Sequence, residues 1–429
     1  MNHRPPLIEE PARRLPVAAT HDVVVCGGGP AGVAAAIAAA RAGADTCLVE
    51  AQGCLGGVWT SGLLSIILDG SNKTGLMPEL RERLRAMGAI QPDRDLYEAE
   101  AMKVLLEELC ESAGVKVRLY TRLAAAQTQD RRLRHLILEA KEGRFALGAR
   151  QFIDTTGDGD LGAMAGCGFD LGRPQDGLTQ PMTLMALIAN VPQEARHPPL
   201  VSPTSPYSVD KKLFYRKLCE AGAPSSYTCP SLFRLPNGTT ALMIHHAYEC
   251  SALDARDLTR ASIEGRREIR RVVAAMKAFP GEGWRNVELV TTAAHIGVRE
   301  GRRIHGDYRI DNDDVSTGRQ HPDAVARATF GVDVHSVRRS EGGSYGHERI
   351  PHLPYDIPLR ALIARDLDNL FLAGRCISGS FFAHASYRVT GNAVATGEAA
   401  GKAAAYAALK GCSPRGIPFE EVFGNPRSP

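Results

Sequence analysis

Three side chains late in the chain, His384, Tyr387 and Arg388, are of the types that move protons and stabilise charge. A histidine titrates near neutral pH and can take or give a proton. It is the first candidate for acid–base work, Tyr387 is the second, and Arg388 is a charge stabiliser. Another chemistry-bearing group lies near the other end. The run HDVVVCGGGPAG over residues 21–32 sets Gly27, Gly29 and Gly32 at G-x-G-x-x-G spacing directly after β-branched residues, and Glu50 follows at the close of the next apolar run. That pattern opens a βαβ unit that binds a dinucleotide.

The elements needed to position these groups follow from the same residues. Residues 22–26 read as a strand and the alanine-rich stretch after the turn as a helix stopped by Gly43. Residues 45–49 read as a second strand. Gly27 permits a sharp exit from the first strand, Gly29 lets backbone amides approach a pyrophosphate, and Gly32 lets the helix pack on the sheet. Gly28, Pro30 and Ala31 complete the turn. The helix N-terminus favours a negative group, so no lysine is needed there. Glu50 can accept two ribose hydroxyls and would repel a 2′-phosphate, which argues against NADP. Residues 53–62, with Gly56, Gly57, Val58 and Thr60, add further glycines and hydroxyls, as a cofactor running on to an isoalloxazine would require.

On these residues, and on DTTGDGDLGAMAG at 154–166, VREGRRIHGDY at 298–308 and NLFLAGRCISGSFFAHASYRVTGNAVATGEAAGKAAA at 369–405, the chain resembles FAD-dependent oxidoreductases with a glutathione-reductase-type FAD fold. The resemblance implies FAD as cofactor. It sets Thr156 and Gly157 beside the phosphates, Gly374 and Arg375 at the turn where FAD hydroxylases carry Gly-Asp, and Gly391, Asn392 and Ala393 at a helix start facing the flavin N1–C2=O edge. A positive helix end there would stabilise the reduced ring. His384, Tyr387 and Arg388 would then pass close to the ring. Arg375 in place of the acid counts against a hydroxylase. The arginine-rich run 299–303 reads as internal ion pairing or as a hold on a substrate anion.

Bulk composition fits this picture. The chain has 429 residues, 44% of them hydrophobic, enough for two or three domains. Its 51 basic and 48 acidic residues are interspersed, so nucleic-acid or membrane-surface binding gains no support. The first residues lack a signal-peptide core and no apolar run approaches a membrane span, so a cytoplasmic location is expected. Ten cysteines without a C-x-x-C pair, and histidines 245, 246, 295, 305, 321 and 335 without metal-ligand spacing, point to no metal site.

The expected fold class is α/β: a discontinuous Rossmann-like FAD-binding domain over 21–168 and 347–412, with an inserted mixed α+β substrate domain over 169–346. A lead-in (1–20) and a tail (413–429) flank them. Helices are expected at 76–87, 96–114, 161–165, 211–221 and 255–279, and from 391 to about 409. Strands are expected at 115–120, 123–129, 133–140, 145–149, 151–155, 241–248 and 369–373, and a long loop over 191–210. The expected reaction is hydride transfer between a C–H centre of a small-molecule substrate and FAD. With no second glycine fingerprint, a dehydrogenase or oxidase reoxidised by an external electron acceptor is expected. A flavin monooxygenase, an enoate-type reductase and a non-catalytic FAD-binding protein remain open, as does oligomeric state.

Overall fold

The computed structural model describes residues 8–91, 94–192, 201–202, 205–281, 283–342 and 350–424, the side chains of 201–209 excepted. Strand β1 (Val17–Cys26) leads through the glycine turn into α1 (Pro30–Arg41) and then β2 (Thr46–Val49). The two strands pair in parallel, Val23 opposite Thr46 and Cys26 opposite Val49. Val23, Val24 and Val25 are wholly buried, as expected of a parallel strand covered on both faces. The strand starts earlier than the sequence suggests, because residues 17–20 of the lead-in continue it and pair with Ala146, Leu147 and Gly148.

Helices α2 (Leu76–Ala86) and α3 (Ala99–Ser112) precede β3 (Lys116–Arg118), which extends the sheet beyond β2. Then come β4 (Arg122–Gln129), β5 (Arg132–Ala140) and β6 (Gly143–Asp154). β6 is one strand where the sequence suggests two. Its first half closes an antiparallel meander with β5, and along its length it runs parallel to β1. The strand order is β3-β2-β1-β6-β5-β4.

After α4 (Asp160–Met164) and β7 (Phe169–Asp170), a second sheet forms from β8 (Ala186–Ala189), β9 (Val201–Ser202), β10 (Ser205–Val209), β11 (Ser231–Arg234), β12 (Thr240–Met243) and β13 (Glu288–Thr292), in the order β13-β8-β12-β11-β10-β9. Helix α5 (Lys211–Glu220) follows β10, and α6 (Ala255–Met276) precedes β13. Ala261, Gly265, Ile269, Val272, Val273 and Met276 make one buried stripe on α6, the spacing of a helix lying on a core. Much of the expected loop 191–210 lies outside the described residues, but β9 and β10 fall within it. β9 is the edge strand and β10 lies between it and β11, meeting β11 only at Ser208 opposite Phe233, so Pro206 falls outside that short pairing. β12 is shorter than expected, since the chain leaves the sheet after Met243.

Next come β14 (Arg303–Ile304), α7 (Asn312–Thr317), β15 (Ala324–Ala328) and β16 (Tyr355–Pro358); Ile304, Val315, Ala328 and Tyr355 pack into the first core rather than the second. The chain then rejoins the first sheet. β17 (Leu370–Leu372) pairs in parallel with β6, Leu370 opposite Phe152. Two helices follow, α8 (Phe381–Tyr387) and α9 (Thr390–Lys410), with α10 (Phe419–Phe423) after them. α8, too short to betray a period, is started by Ser380, whose hydroxyl accepts the Ala383 amide at 3.2 Å. α9 lies along α1 so closely that Gly397 and Gly401 rest on the Ala31 and Ala35 carbonyls, where no side chain would fit.

Candidate functional site

The glycine turn is built as its spacing requires. Gly27 has φ +101°, and a Cβ there would sit 2.6 Å from the Thr155 carbonyl oxygen. A Cβ on Gly32 would overlap the Gly27 carbonyl. At Gly29 the reverse holds: nothing lies within 4 Å of where a Cβ would be. α1 has no side-chain cap and begins with Pro30, so the amides behind it, starting at Ala31, open onto that space. Glu50, largely buried beyond β2, accepts the Gly28 amide at 2.5 Å and the Gln52 amide at 2.7 Å.

The segment over 53–62 folds against this turn. The Gly56 amide donates to the Gly28 carbonyl at 2.8 Å, and a Cβ on Gly57 would touch Gly29. Val58 is half-buried in the 3-10 turn that follows, and the Thr60 hydroxyl donates to the Leu55 carbonyl at 2.5 Å, holding the segment in shape. At the end of β6 the Thr156 hydroxyl donates to Asp154 at 2.7 Å and accepts the Asp160 amide at 2.8 Å. What approaches the glycines is Thr155, whose hydroxyl lies 2.7 Å from both the Cys26 and Gly27 carbonyls. Sequence reasoning passed Thr155 over for its neighbour, although one residue along a strand is a change of face.

The C-terminal segments arrive at the same place. A Cβ on Gly374 would lie 3.0 Å from that of Ala31 and 3.9 Å from that of Ala393. Arg375 stretches over Gly157 and pairs with Asp158 at 2.9 Å. At the head of α9, Gly391 is pressed on the Asp69 carbonyl, and its amide donates to the Leu68 carbonyl at 2.8 Å. Asn392 is buried with neither amide atom hydrogen-bonded. An orphaned polar side chain of that kind requires a partner from outside the chain.

His384 is wholly buried, and neither ring nitrogen has a hydrogen-bond partner, although a backbone group of Arg375 lies near enough to favour the charged form. Burial, then the charges of Arg303, Arg388 and Arg375, push its pKa well below the usual value, so the imidazole is neutral. Tyr387 stands edge-on to it at 5.5 Å and donates its hydroxyl to the Ile377 carbonyl at 2.9 Å. Arg388 donates to the Asp333 carbonyl at 2.9 Å and carboxylate at 3.1 Å, leaving its buried Nε unpaired.

Behind these lies a bank of charge from the inserted region. Arg303 pairs with buried Glu300 at 2.5 Å, and Arg302 with Asp160 at 2.8 Å. Arg299 donates from Nη1 to the Pro181 carbonyl at 2.7 Å and to the Thr183 hydroxyl at 2.5 Å. Burial, and then repulsion from Arg388, lower its pKa to about 10. His246 stacks on Tyr227 at 4.0 Å and faces His335 at 5.0 Å; burial holds both imidazoles neutral, His335 at about 4. His295, which no local signal singles out, lies near Asp158, Arg375 and Glu50, and its backbone amide donates to the Ser61 carbonyl at 3.1 Å. His305 is turned outward to Asp170 at 3.1 Å. Among the described residues no cluster could hold a metal ion, and no helix is long and apolar enough to cross a membrane.

The open space at Gly29, the uncapped helix and orphaned Asn392 suit a long dinucleotide laid from Glu50 to α9. A family model described as FAD dependent oxidoreductase matches residues 22–424. No curated protein matches the chain. Solved structures similar to it include a geranylgeranyl bacteriochlorophyll reductase-like protein from Thermoplasma acidophilum, at 14% identity over 91% of this chain and 78% of that one, TM-score 0.45. A p-nitrophenol 4-monooxygenase from Pseudomonas putida is 12% identical over 92% and 82%, TM-score 0.48. A flavoprotein/dehydrogenase from Cytophaga hutchinsonii is 15% identical over 94% and 81%, TM-score 0.46. Likenesses of this size carry no argument about the reaction.

Proposed function

Because the chain belongs to the FAD dependent oxidoreductase family, we propose that it transfers a hydride between a C–H centre of a small molecule and FAD, with an external acceptor reoxidising the cofactor. The protein is an FAD-dependent oxidoreductase; the dehydrogenase or oxidase direction and the glutathione-reductase type of its FAD domain are our reading. One observation carries it: the neutral, wholly buried His384 with two unpaired nitrogens lies on α8, the short helix that leads into α9, whose head meets the glycine turn through Gly374 and Ala31. Bound FAD would supply a two-electron acceptor for a hydride leaving carbon. Glu50 would accept its ribose hydroxyls, the α1 amides at Ala31 and Gly32 would hold its diphosphate, and the positive end of α9 would favour negative charge on the ring. His384, being neutral, takes the proton that leaves the substrate heteroatom, Tyr387 fixes the ring that packs against it, and Arg388 stabilises negative charge on the substrate. Arg375, tied to Asp158, stands where a hydroxylase would carry an acid, which favours a reaction other than hydroxylation.

The test is anaerobic. Purified protein should be yellow, release its flavin on acid precipitation or retain it if covalent, and be bleached by one class of metabolite. NADPH-dependent oxygen uptake would favour a monooxygenase instead, reoxidation of reduced protein by an enoate would favour a reductase, and no bleaching by any metabolite would favour a non-catalytic role. With a bleaching substrate in hand, His384→Ala should keep its FAD and lose roughly a hundredfold in the rate of flavin reduction, the usual scale of a lost acid–base group. Unchanged reduction kinetics would remove His384 from the mechanism.

A further inference from the structure

The arginine bank carries more positive charge than its own carboxylates balance. Arg303 is matched by Glu300, Arg375 by Asp158 and Arg388 by Asp333. Arg299 has no carboxylate within ion-pair distance among the described residues. Only its Nη1 is engaged, by a carbonyl and a hydroxyl, so the rest of the guanidinium fork has no described partner. Arg388 keeps a buried unpaired Nε of its own. The two guanidinium groups lie close enough to repel, and the neighbouring imidazoles of His246, His335 and His384 are all neutral. Charge buried with like charge is costly unless an opposite charge is supplied.

We infer that Arg299 and Arg388 form a clamp for an anion, and that the substrate therefore carries a carboxylate or comparable oxyanion. The inference rests on the hydride-transfer reading for what happens to the bound molecule. The clamp itself does not depend on that reading. Each guanidinium keeps donors that no described group takes, Nε on Arg388 and those beyond Nη1 on Arg299, and such donors suit a carboxylate. Since Arg388 directly precedes the α9 N-cap, an anion held there brings the adjoining carbon to the side of the site where His384 lies.

The experiment titrates the holoprotein with benzoate, acetate, inorganic phosphate and, as the uncharged match, benzamide, reading the flavin difference spectrum and the melting temperature. Benzoate should give a saturable spectral change and raise the melting temperature, with benzamide giving neither. Arg299→Gln should weaken benzoate binding at least tenfold while FAD content stays full, and Arg388→Gln should do the same. Phosphate binding as well as benzoate would widen the class to oxyanions in general. Equal binding of benzamide and benzoate, or an Arg299→Gln protein that binds benzoate normally, overturns the clamp. So does an Arg388→Gln protein with a shifted flavin potential and unaltered benzoate binding, since the arginines would then serve the cofactor. If Arg299→Gln fails to fold, the comparison of benzoate with benzamide in the unsubstituted protein still decides. A colourless preparation would defeat the flavin reading alone, because the melting temperature reports anion binding without it.

Discussion

Gly29→Val is expected to fold and melt as the unsubstituted apoprotein does, yet to bind FAD roughly a thousandfold more weakly, about 4 kcal/mol. The residue sits in extended backbone, φ −71° and ψ −174°, which valine adopts freely. Its Cβ meets nothing within 4 Å. The side chain therefore costs the fold little and occupies the space into which the α1 amides open, where the diphosphate must lie. Flavin fluorescence titration and apoprotein melting separate the two effects. Gly32→Ala is the contrasting case: its Cβ overlaps the Gly27 carbonyl, so cofactor and stability should fall together. If Gly29→Val held FAD normally, the diphosphate would have to lie elsewhere.

The second large effect is acid lability. Burial holds His245 and His335 at about 4. The unfolded chain takes up protons on both near pH 6.5, protons that the folded chain refuses until near pH 4. Stability is therefore present above about pH 6.5 and is lost as pH falls towards 4, by roughly 3 kcal/mol for each histidine at the limit. His246 and His384 shift in the same direction. Asp154 works the other way. Burial raises it to about 6, so its proton uptake returns a comparable amount over nearly the same range. The net expectation is a melting temperature that falls steeply between pH 7 and pH 5. In His245→Gln, where the amide oxygen can replace Nδ1 as acceptor for the Leu184 amide (3.1 Å in the parent), the dependence should be shallower by about one proton. Identical slopes in parent and variant would refute the assignment.

The glycine turn was legible in the sequence because its determinants are local: Gly27, Gly29, Gly32 and Glu50 fall within one βαβ unit. The long helices and most strands of the first sheet were legible for the same reason, whereas β6 and β12 have other bounds than their residues suggest. β9 and β10 were hidden by the prolines of the stretch they lie in and by their sparse pairing, and α8 by having fewer than three turns. The electrostatics of the candidate site could not be read in this way. His384 is neutral first because the fold buries it and then because Arg303 is brought to it from a distant segment beside Arg388 and Arg375, and the partner of Arg375 is Asp158, more than two hundred positions away in the chain. A missing acid beside Gly374 is visible in the sequence; that its replacement reaches back to a turn after β6 is not.

The seam between α1 and α9 has a consequence for biosynthesis. Ala31 and Ala35 leave the ribosome long before the glycines that cover them, Gly397 and Gly401, have been translated. Until they appear, the apolar face of α1 stays uncovered, and the sheet lacks β17. The nascent chain must therefore wait until both sides of this seam are made before that unit can close, a long interval of exposure in which a holdase chaperone would have its clearest purpose.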